Sequence, residues 1–261
     1  METFDQQKFS DILQTSSIGR EFFYLSETGS TNDQLRTLCA HREIPEGTLL
    51  LTDHQKAGRG RSGRRWYSGP GVNLTFSLLL KPRISFNEFG LISLMSGVAV
   101  VRGITSCTSQ GAGLKWPNDI IMSGRKIGGI LTKRFTTDGQ EMVIVGIGLN
   151  VNETLAELPK SLQANSLSLV TALGSQLPRE ALLADILLNF EQLYHELSPD
   201  VVEVWESYCV HVGKAVKFHY GSQESNGRFE GLAPNGYARI RIGDRTRIVS
   251  SGEIELNDLN H

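Results

Sequence analysis

The residues best equipped for chemistry lie between Gln55 and Trp66. There Gly58-Arg59-Gly60-Arg61-Ser62-Gly63-Arg64-Arg65 interleaves three glycines with four arginines. Glycine lets a backbone turn tightly and approach a ligand closely. The guanidinium offers a planar fork of donors that matches carboxylate and phosphate oxygens. The whole chain has a formal charge of -2, so this loop gathers positive charge against the general balance. The chemistry it suggests is capture of a small anion.

Other readings of the loop fare less well. Gly58-x-Gly60-x-x-Gly63 has dinucleotide-binding spacing, but that motif needs a helix directly after it and an acid about twenty residues on. Tyr67-Ser68-Gly69-Pro70-Gly71 breaks any helix, and residues 81–83 are Lys-Pro-Arg. No Gly-Lys-[Ser/Thr] follows the glycines, so it is not a P-loop. A solvated surface loop is the bland alternative.

Three further segments carry polar groups at strand ends. Lys115-Trp116-Pro117-Asn118-Asp119 sets a cation, an amide and a carboxylate around a turn. Lys115 can neutralise a phosphate, and Asp119 with Asn118 can hold Mg²⁺; a turn whose Asn and Asp bond only the backbone is the alternative. Arg125-Lys126-Ile127-Gly128-Gly129-Ile130-Leu131 opens an apolar strand with Lys126 beside two glycines. A lysine there projects into a pocket floored by glycine, or lies at an edge beside a bulge. Gly146-Ile147-Gly148-Leu149-Asn150-Val151-Asn152 closes another strand, with an ordinary strand end as its plain reading.

The elements that must position these groups are legible in outline. Residues 1–20 read as a short helix and a turn, with Phe9, Ile12 and Leu13 on its apolar face. Asn32 or Thr31 would cap a helix from Gln34 to His41. Thr48 to Thr52 and Asn73 to Leu80 read as strands, and Lys126 to Arg134 and Met142 to Val151 as strands flanking a turn at Thr137-Asp138-Gly139. Leu91, Leu94, Met95, Val98 and Val101 recur at helical spacing, as do Leu183, Ile186, Leu187, Phe190, Tyr194 and Leu197 behind Pro178. After about Tyr208, short β-rich runs alternate with turns and suggest a small separate barrel.

Composition excludes several classes. At 261 residues and 39% hydrophobic, the chain can bury a core without staples. Cys39, Cys107 and Cys209 lie far apart and make no C-x-x-C pair, which fits a reducing compartment. The N-terminus lacks the basic start and apolar run of a signal peptide. No apolar stretch long enough to span a membrane is expected. The chain is therefore expected in the cytoplasm.

Taken together, Ser30-Thr31-Asn32, Gln55 with the Gly58–Trp66 loop, Lys115–Asp119, Arg125–Leu131 and Gly146–Asn150 resemble the biotin protein ligase family in order and spacing. The resemblance runs over roughly residues 20–255. It implies an α+β fold: a mixed-sheet catalytic domain flanked by helices, class II synthetase-like and SH2-like, over residues 21–210. A short N-terminal helix over 1–20 precedes it, and a C-terminal SH3-like β-barrel over 211–261 follows.

The implied activity is an ATP-dependent, AMP-forming ligation. Biotin's carboxylate attacks the α-phosphate, and biotin then passes to one lysine of a biotin carboxyl carrier protein. ATP and biotin are the implied substrates, with Mg²⁺. By resemblance, Ser30, Thr31, Asn32, Gln55, Arg59, Gly60, Arg61, Lys126, Gly128 and Gly129 hold biotin. Arg59, Arg61, Arg64, Trp66, Lys115, Asn118 and Asn150 hold ATP. Lys126, Arg61, Lys115 and Asp119 are the implied catalytic set, with Asp119 the metal-linked carboxylate. The loop over residues 57–68 is expected to order over the ligand, because an acyl-adenylate must be shielded from water.

Two departures qualify the resemblance. Many relatives have an N-terminal DNA-binding domain with no counterpart here, so no nucleic-acid partner is expected. Asn257 stands where some relatives have an arginine, and Glu253 is a candidate contact to the acceptor. A monomer or a homodimer is expected. A lipoate ligase, a ligand sensor without turnover, and nucleic-acid binding by the arginine cluster are the competing readings. The compact cluster and the acidic balance argue against the last.

Overall fold

The computed structural model describes residues 3–85, 88–108, 110–137, 139–220, 223–250 and 252–256. Ser251 and Asn257 lie outside these residues, as does the side chain of Glu253. Seven strands form a mixed sheet: β1 (Phe22–Thr28), β2 (Leu49–Gln55), β3 (Leu74–Leu80), β4 (Gly113–Lys115), β5 (Asp119–Met122), β6 (Arg125–Thr137) and β7 (Gln140–Leu149). Their order is β1-β2-β3-β7-β6-β5-β4. β1 and β2 run parallel, and the remaining neighbours are antiparallel. A parallel pair needs a crossover, which α2 (Thr31–His41) supplies. This helix starts earlier than its sequence suggested, because Ser30 is its N-cap residue and Thr31 and Asn32 form its first turn.

Alternation sorts the two faces of the sheet. Leu74, Phe76, Leu78 and Leu80 of β3 enter one large core with Val143, Val145, Ile147 and Leu149 of β7. That face is covered by α3 (Phe89–Cys107) and α6 (Arg179–His195). Leu35 and Cys39 of α2 meet Leu50, Leu79, Met142 and Ile144 on the opposite face. α2 covers only part of that face.

Helix α3 corrects two expectations. Buried residues include Ser96, Gly97 and Gly103 beside the leucines and valines, so it is not simply two-faced. At Gly103 a Cβ would lie 2.6 Å from Ile186 Cγ1, so only glycine allows α3 to approach α6 this closely. By length and composition α3 is long and apolar enough to cross a membrane, with a mean hydropathy of 1.5. The expectation that no such stretch exists is therefore corrected; this helix spends its apolar surface on the core of the fold.

The C-terminal part is a second, antiparallel sheet of β8 (Ala215–Tyr220), β9 (Gln223–Leu232), β10 (Ala238–Ile242), β11 (Arg245–Val249) and β12 (Glu253–Leu256). Its order is β11-β10-β9-β8-β12. Among the described residues β11 and β12 do not pair, so this is an open sheet where a barrel was expected. Val216, Phe218, Phe229 and Ile240 on its inner face join the main core. Trp116 anchors the two sheets, its Nε1 donating to Gly236 O at 3.2 Å.

The N-terminal helix α1 (Gln6–Ile12) packs Phe9 into the core, while Ile12 is 37% exposed rather than part of the apolar face. Its turn is held by Glu191 of α6. The N–H groups of Ser16, Ser17 and Ile18 all donate to that carboxylate, at 2.8, 2.7 and 2.9 Å. Burial opposes ionisation of Glu191, but these donors outweigh it and hold the carboxyl at about 2.

A carboxyl whose folded pKa is depressed stabilises the fold above its unfolded pKa and loses that contribution as pH falls through its folded value. Glu191→Gln is expected to cost about 1–3 kcal/mol in urea unfolding at neutral pH. The gap from the unmodified chain should close as pH falls from the ordinary carboxyl value of 4.5 towards about 2. A gap independent of pH over that window would contradict the assignment.

Candidate active site

The part of the sheet that α2 leaves bare is the floor of a cavity of about 1230 Å³. Thr75 and Gly146 and Gly148 line it, being the alternate-face partners of the core residues on β3 and β7. The glycines are needed there. A Cβ at Gly148 would lie 2.3 Å from the Trp66 ring, and one at Gly146 would lie 2.2 Å from Asn32 Oδ1. The spaced glycines of this strand therefore clear a surface on which other groups lie.

One wall is a polar network at the start of α2. Gln55 Oε1 accepts from the Thr31 N–H at 2.7 Å and lies 3.1 Å from Thr31 Oγ1. Ser77 Oγ lies 2.7 Å from Thr31 Oγ1 and 2.6 Å from Asn32 Oδ1. Asn32 Nδ2 donates to Leu131 O at 3.1 Å. Ser30, Thr31, Asn32, Gln55 and Ser77 are all buried. Buried amides and hydroxyls fixed in this way present both donors and acceptors to a ligand. Ser77 was not singled out from sequence; it reads there as one polar position in a strand.

The glycine–arginine segment is a narrow hairpin. Gly60 N–H donates to Arg64 O at 2.7 Å, and Trp66 N–H to Gly58 O at 2.9 Å. At Gly58 a Cβ would lie 2.6 Å from Trp66 O, so the hairpin closes only over glycine. Ser62 and Gly63, both at positive φ, turn its tip. Arg59, Gly60, Arg61 and Arg64 line the cavity. Arg59 also pairs with Asp33 of α2 at 3.3 Å, and Lys133 shares that carboxylate at 3.2 Å. The Trp66 indole N–H is buried and has no hydrogen-bond partner among the described residues.

The opposite wall is the β4–β5 turn and the start of β6. Asn118 Nδ2 donates to Ile130 O at 2.7 Å, and Arg61 Nη1 reaches Asn118 Oδ1 at 3.4 Å. Lys126 Nζ bonds Asp119. A Cβ at Gly129 would lie 3.3 Å from the Lys126 Cε and Nζ, so glycine there makes room for the ammonium arm. The Lys126 backbone is clamped by Asn165 O and the Leu167 N–H, at 2.9 and 2.8 Å. Asn150 braces that clamp, its Nδ2 donating to Leu167 O at 3.0 Å.

Nearly every predicted residue lines this one cavity: Lys115, Asn118, Asp119, Lys126, Gly129 and Asn150 join those above. Gly128 does not. A Cβ there would meet Gly148 O, Leu149 and Ile120 at 2.9–3.1 Å, so it faces the strand interior and serves packing. Asn165, Ser166 and Lys214 also line the cavity, and no motif signalled them.

Burial pushes the Cys107 and Cys209 thiols up to about 12. Fully buried His211 is lowered to about 3 by burial and by Lys115 and Lys214, so it is neutral. Among the described residues no three acidic, His or Cys groups cluster for a metal. Asp119, a single carboxylate in the cavity, supplies one ligand position for a Mg²⁺ rather than a resident cage. The site can hold anions, orient them and neutralise them.

Comparison with known proteins gives the family. The biotin/lipoate A/B protein ligase family matches residues 24–150, and the biotin protein ligase C-terminal domain matches residues 211–257. The bifunctional ligase/repressor BirA of Bacillus subtilis is 34% identical over 250 residues, which cover 94% of this chain and 76% of that protein. The biotin–[acetyl-CoA-carboxylase] ligase of Mycobacterium tuberculosis is 28% identical, covering 96% of this chain and 94% of its own. The Aquifex aeolicus biotin protein ligase solved with biotin and ATP superposes with a TM-score of 0.76 at 30% identity, over 91% of this chain and 99% of that one. By its sequence, its fold and the placement of its motifs, this chain belongs to the biotin protein ligase family of enzymes.

Proposed function

We propose that this chain activates biotin with Mg-ATP to biotinyl-AMP and transfers it to one lysine of a biotin carboxyl carrier protein. The observation that carries this reading is the gathering of Arg61, Lys115 and Lys126 around the Asn118–Asp119 turn of a cavity with a glycine floor. Biotin's carboxylate is already ionised at neutral pH, so the first step needs no base. A carboxylate oxygen bonds to the α-phosphorus, and pyrophosphate leaves with the electron pair of the bond that breaks. The obstacle is that two anions must meet, and positioned cations lower it.

The residues divide the work. Ser30, Thr31, Asn32 and Gln55 hold the ureido ring. Arg59, Gly60 and Arg61 wrap the ligand, with Gly129 giving it space. Lys126 leaves Asp119 to bridge the biotin carboxyl and the α-phosphate, and Asp119 is freed towards the magnesium carried by ATP. Arg64, Lys115 and Asn118 take phosphate oxygens, while Trp66 and Asn150 receive the adenine. In the second step a neutral lysine amine attacks the acyl carbon. AMP leaves with the acyl–oxygen pair, and the surplus proton passes to phosphate or water. Residues 21–210 form the catalytic unit in this account, and 211–261 an accessory one.

A lipoate-activating enzyme is the second reading, because the family matched over residues 24–150 includes lipoate ligases. Purified chain with ATP and labelled pyrophosphate separates the two. Exchange should depend on biotin and exceed that with lipoate by about a hundredfold or more. Equal or greater exchange with lipoate would overturn the proposal.

Lys126→Ala should reduce biotin-dependent exchange by about a hundredfold or more, while biotin binding by calorimetry falls only by about threefold, the effect of one lost surface-type contact. Exchange at the unmodified rate would contradict the bridging role.

A further inference from the structure

Among the described residues, two buried side-chain polar atoms lack a hydrogen-bond partner: Trp66 Nε1 and Glu153 Oε1. Both bear on one short segment. Trp66 closes the glycine–arginine hairpin, and the chain from Trp66 to Asn73 leads from it into β3. Glu153 Oε1 lies against Gly69 in the middle of that run, where a Cβ on Gly69 would sit 2.3 Å from it. Glu153 is fully buried and does not line the cavity, so it stands behind the wall and not on it.

The rest of the carboxyl is tied down. Glu153 Oε2 accepts from Asn73 Nδ2 at 3.0 Å, and Asn73 Oδ1 accepts from the Val151 N–H at 2.9 Å. Asn152 N–H donates to Val72 O at 2.9 Å. These bonds join the segment to the chain that follows β7, close to the cavity residue Asn150. From the other side, Gly71 N–H donates to Asp53 O at 3.0 Å, and Arg179 Nη1 donates to Asp53 and to Asn73 O at 2.7 and 3.3 Å. Ser68 Oγ meets Thr75 Oγ1 at 3.1 Å. The segment is thus pinned at Ser68 and at residues 71–73, and Glu153 fills the space beneath Gly69 between the pins.

Packing alone does not explain a carboxyl there. An apolar side chain of similar size fills the same space without an unpaired oxygen, which is costly in a dry interior. Burial raises the Glu153 carboxyl above its ordinary value; the Asn73 amide opposes this and nearby Glu157 adds to it. The neutral acid is favoured. Its effect reaches the cavity through Trp66, which lines it and whose ring lies so close over β7 that a Cβ at Gly148 would come within 2.3 Å.

We propose that Glu153 is a positioning residue for the nucleotide half of the site: it seats the chain at Gly69 and so fixes the Trp66 indole over the β7 glycines. This rests on the function proposed above, in which Trp66 receives the adenine. The polar wall at Thr31, Asn32, Gln55 and Ser77 bonds within itself and shares no hydrogen bond with Glu153. The effect therefore falls on the nucleotide and spares biotin.

The test is calorimetry with biotin present and AMPCPP as the nucleotide, whose α,β-methylene bridge bars pyrophosphate release. E153M keeps the bulk and removes both oxygens. It should weaken AMPCPP binding about tenfold, the effect of a disturbed aromatic contact, with biotin affinity within about twofold. E153Q, the neutral isostere, should stay within about threefold for AMPCPP. G69A drives a methyl against the Glu153 oxygen from the opposite side and should reproduce the E153M loss, which keeps the test open if E153M does not fold. Unchanged AMPCPP binding in the folded variants, a loss shared equally by biotin, or an E153Q as weak as E153M would each overturn the proposal. Absence of biotin-dependent pyrophosphate exchange in the unmodified chain would instead sink the functional reading, because the binding comparison requires no turnover.

Discussion

The structure depends on gathering several cations around one cavity, each beside a local polar or acidic partner. Arg61, Lys115 and Lys126 line one cavity, and like charges gathered there repel one another. The fold answers this with local partners. Asp119 holds Lys126, Asn118 meets Arg61, and Asp33 holds both Arg59 and Lys133. His211, which lies near Lys115, stays neutral. Each partner is one that an incoming carboxylate or phosphate can replace, so the charge is stored rather than extinguished.

The remaining architecture serves that arrangement. Alternation on β3 and β7 sends the large apolar residues to α3 and α6 and leaves Thr75, Gly146 and Gly148 for the ligand face. Rigid strand ends, not free loops, carry Gln55, Lys115, Asp119 and Lys126. The Asn165–Leu167 segment grips Lys126 by its backbone, so the ammonium arm moves from a fixed base. Such fixed placement is what lets hydrogen bonds and charges act on a reaction rather than merely bind.

Much of this was legible in the residues. Motifs that pair glycine with a polar or charged side chain announce a close approach, and the structure brings them into one cavity. Less legible were features fixed by neighbours distant in sequence. Gly128 and Gly129 look alike in the chain, but pleating sends one to the strand interior and the other beneath Lys126. Ser77 looks like a solvent-facing strand position until α2 places Thr31 and Asn32 over it. β1 went unseen because it is only half-buried along its length and lacks a clean alternation. α3 read as two-faced because Ser96, Gly97 and Gly103 mimic a polar face, when small size is what they contribute.

In the proposed reaction these cations join a carboxylate to a phosphate and then release the acyl group to one amine. Intact-mass measurement of a biotin carboxyl carrier domain, incubated with the chain, biotin and Mg-ATP, tests it most directly. The carrier should become heavier by one biotin, only when ATP is present and only when its acceptor lysine is intact. An unchanged carrier mass, or a gain that needs no ATP, would contradict it.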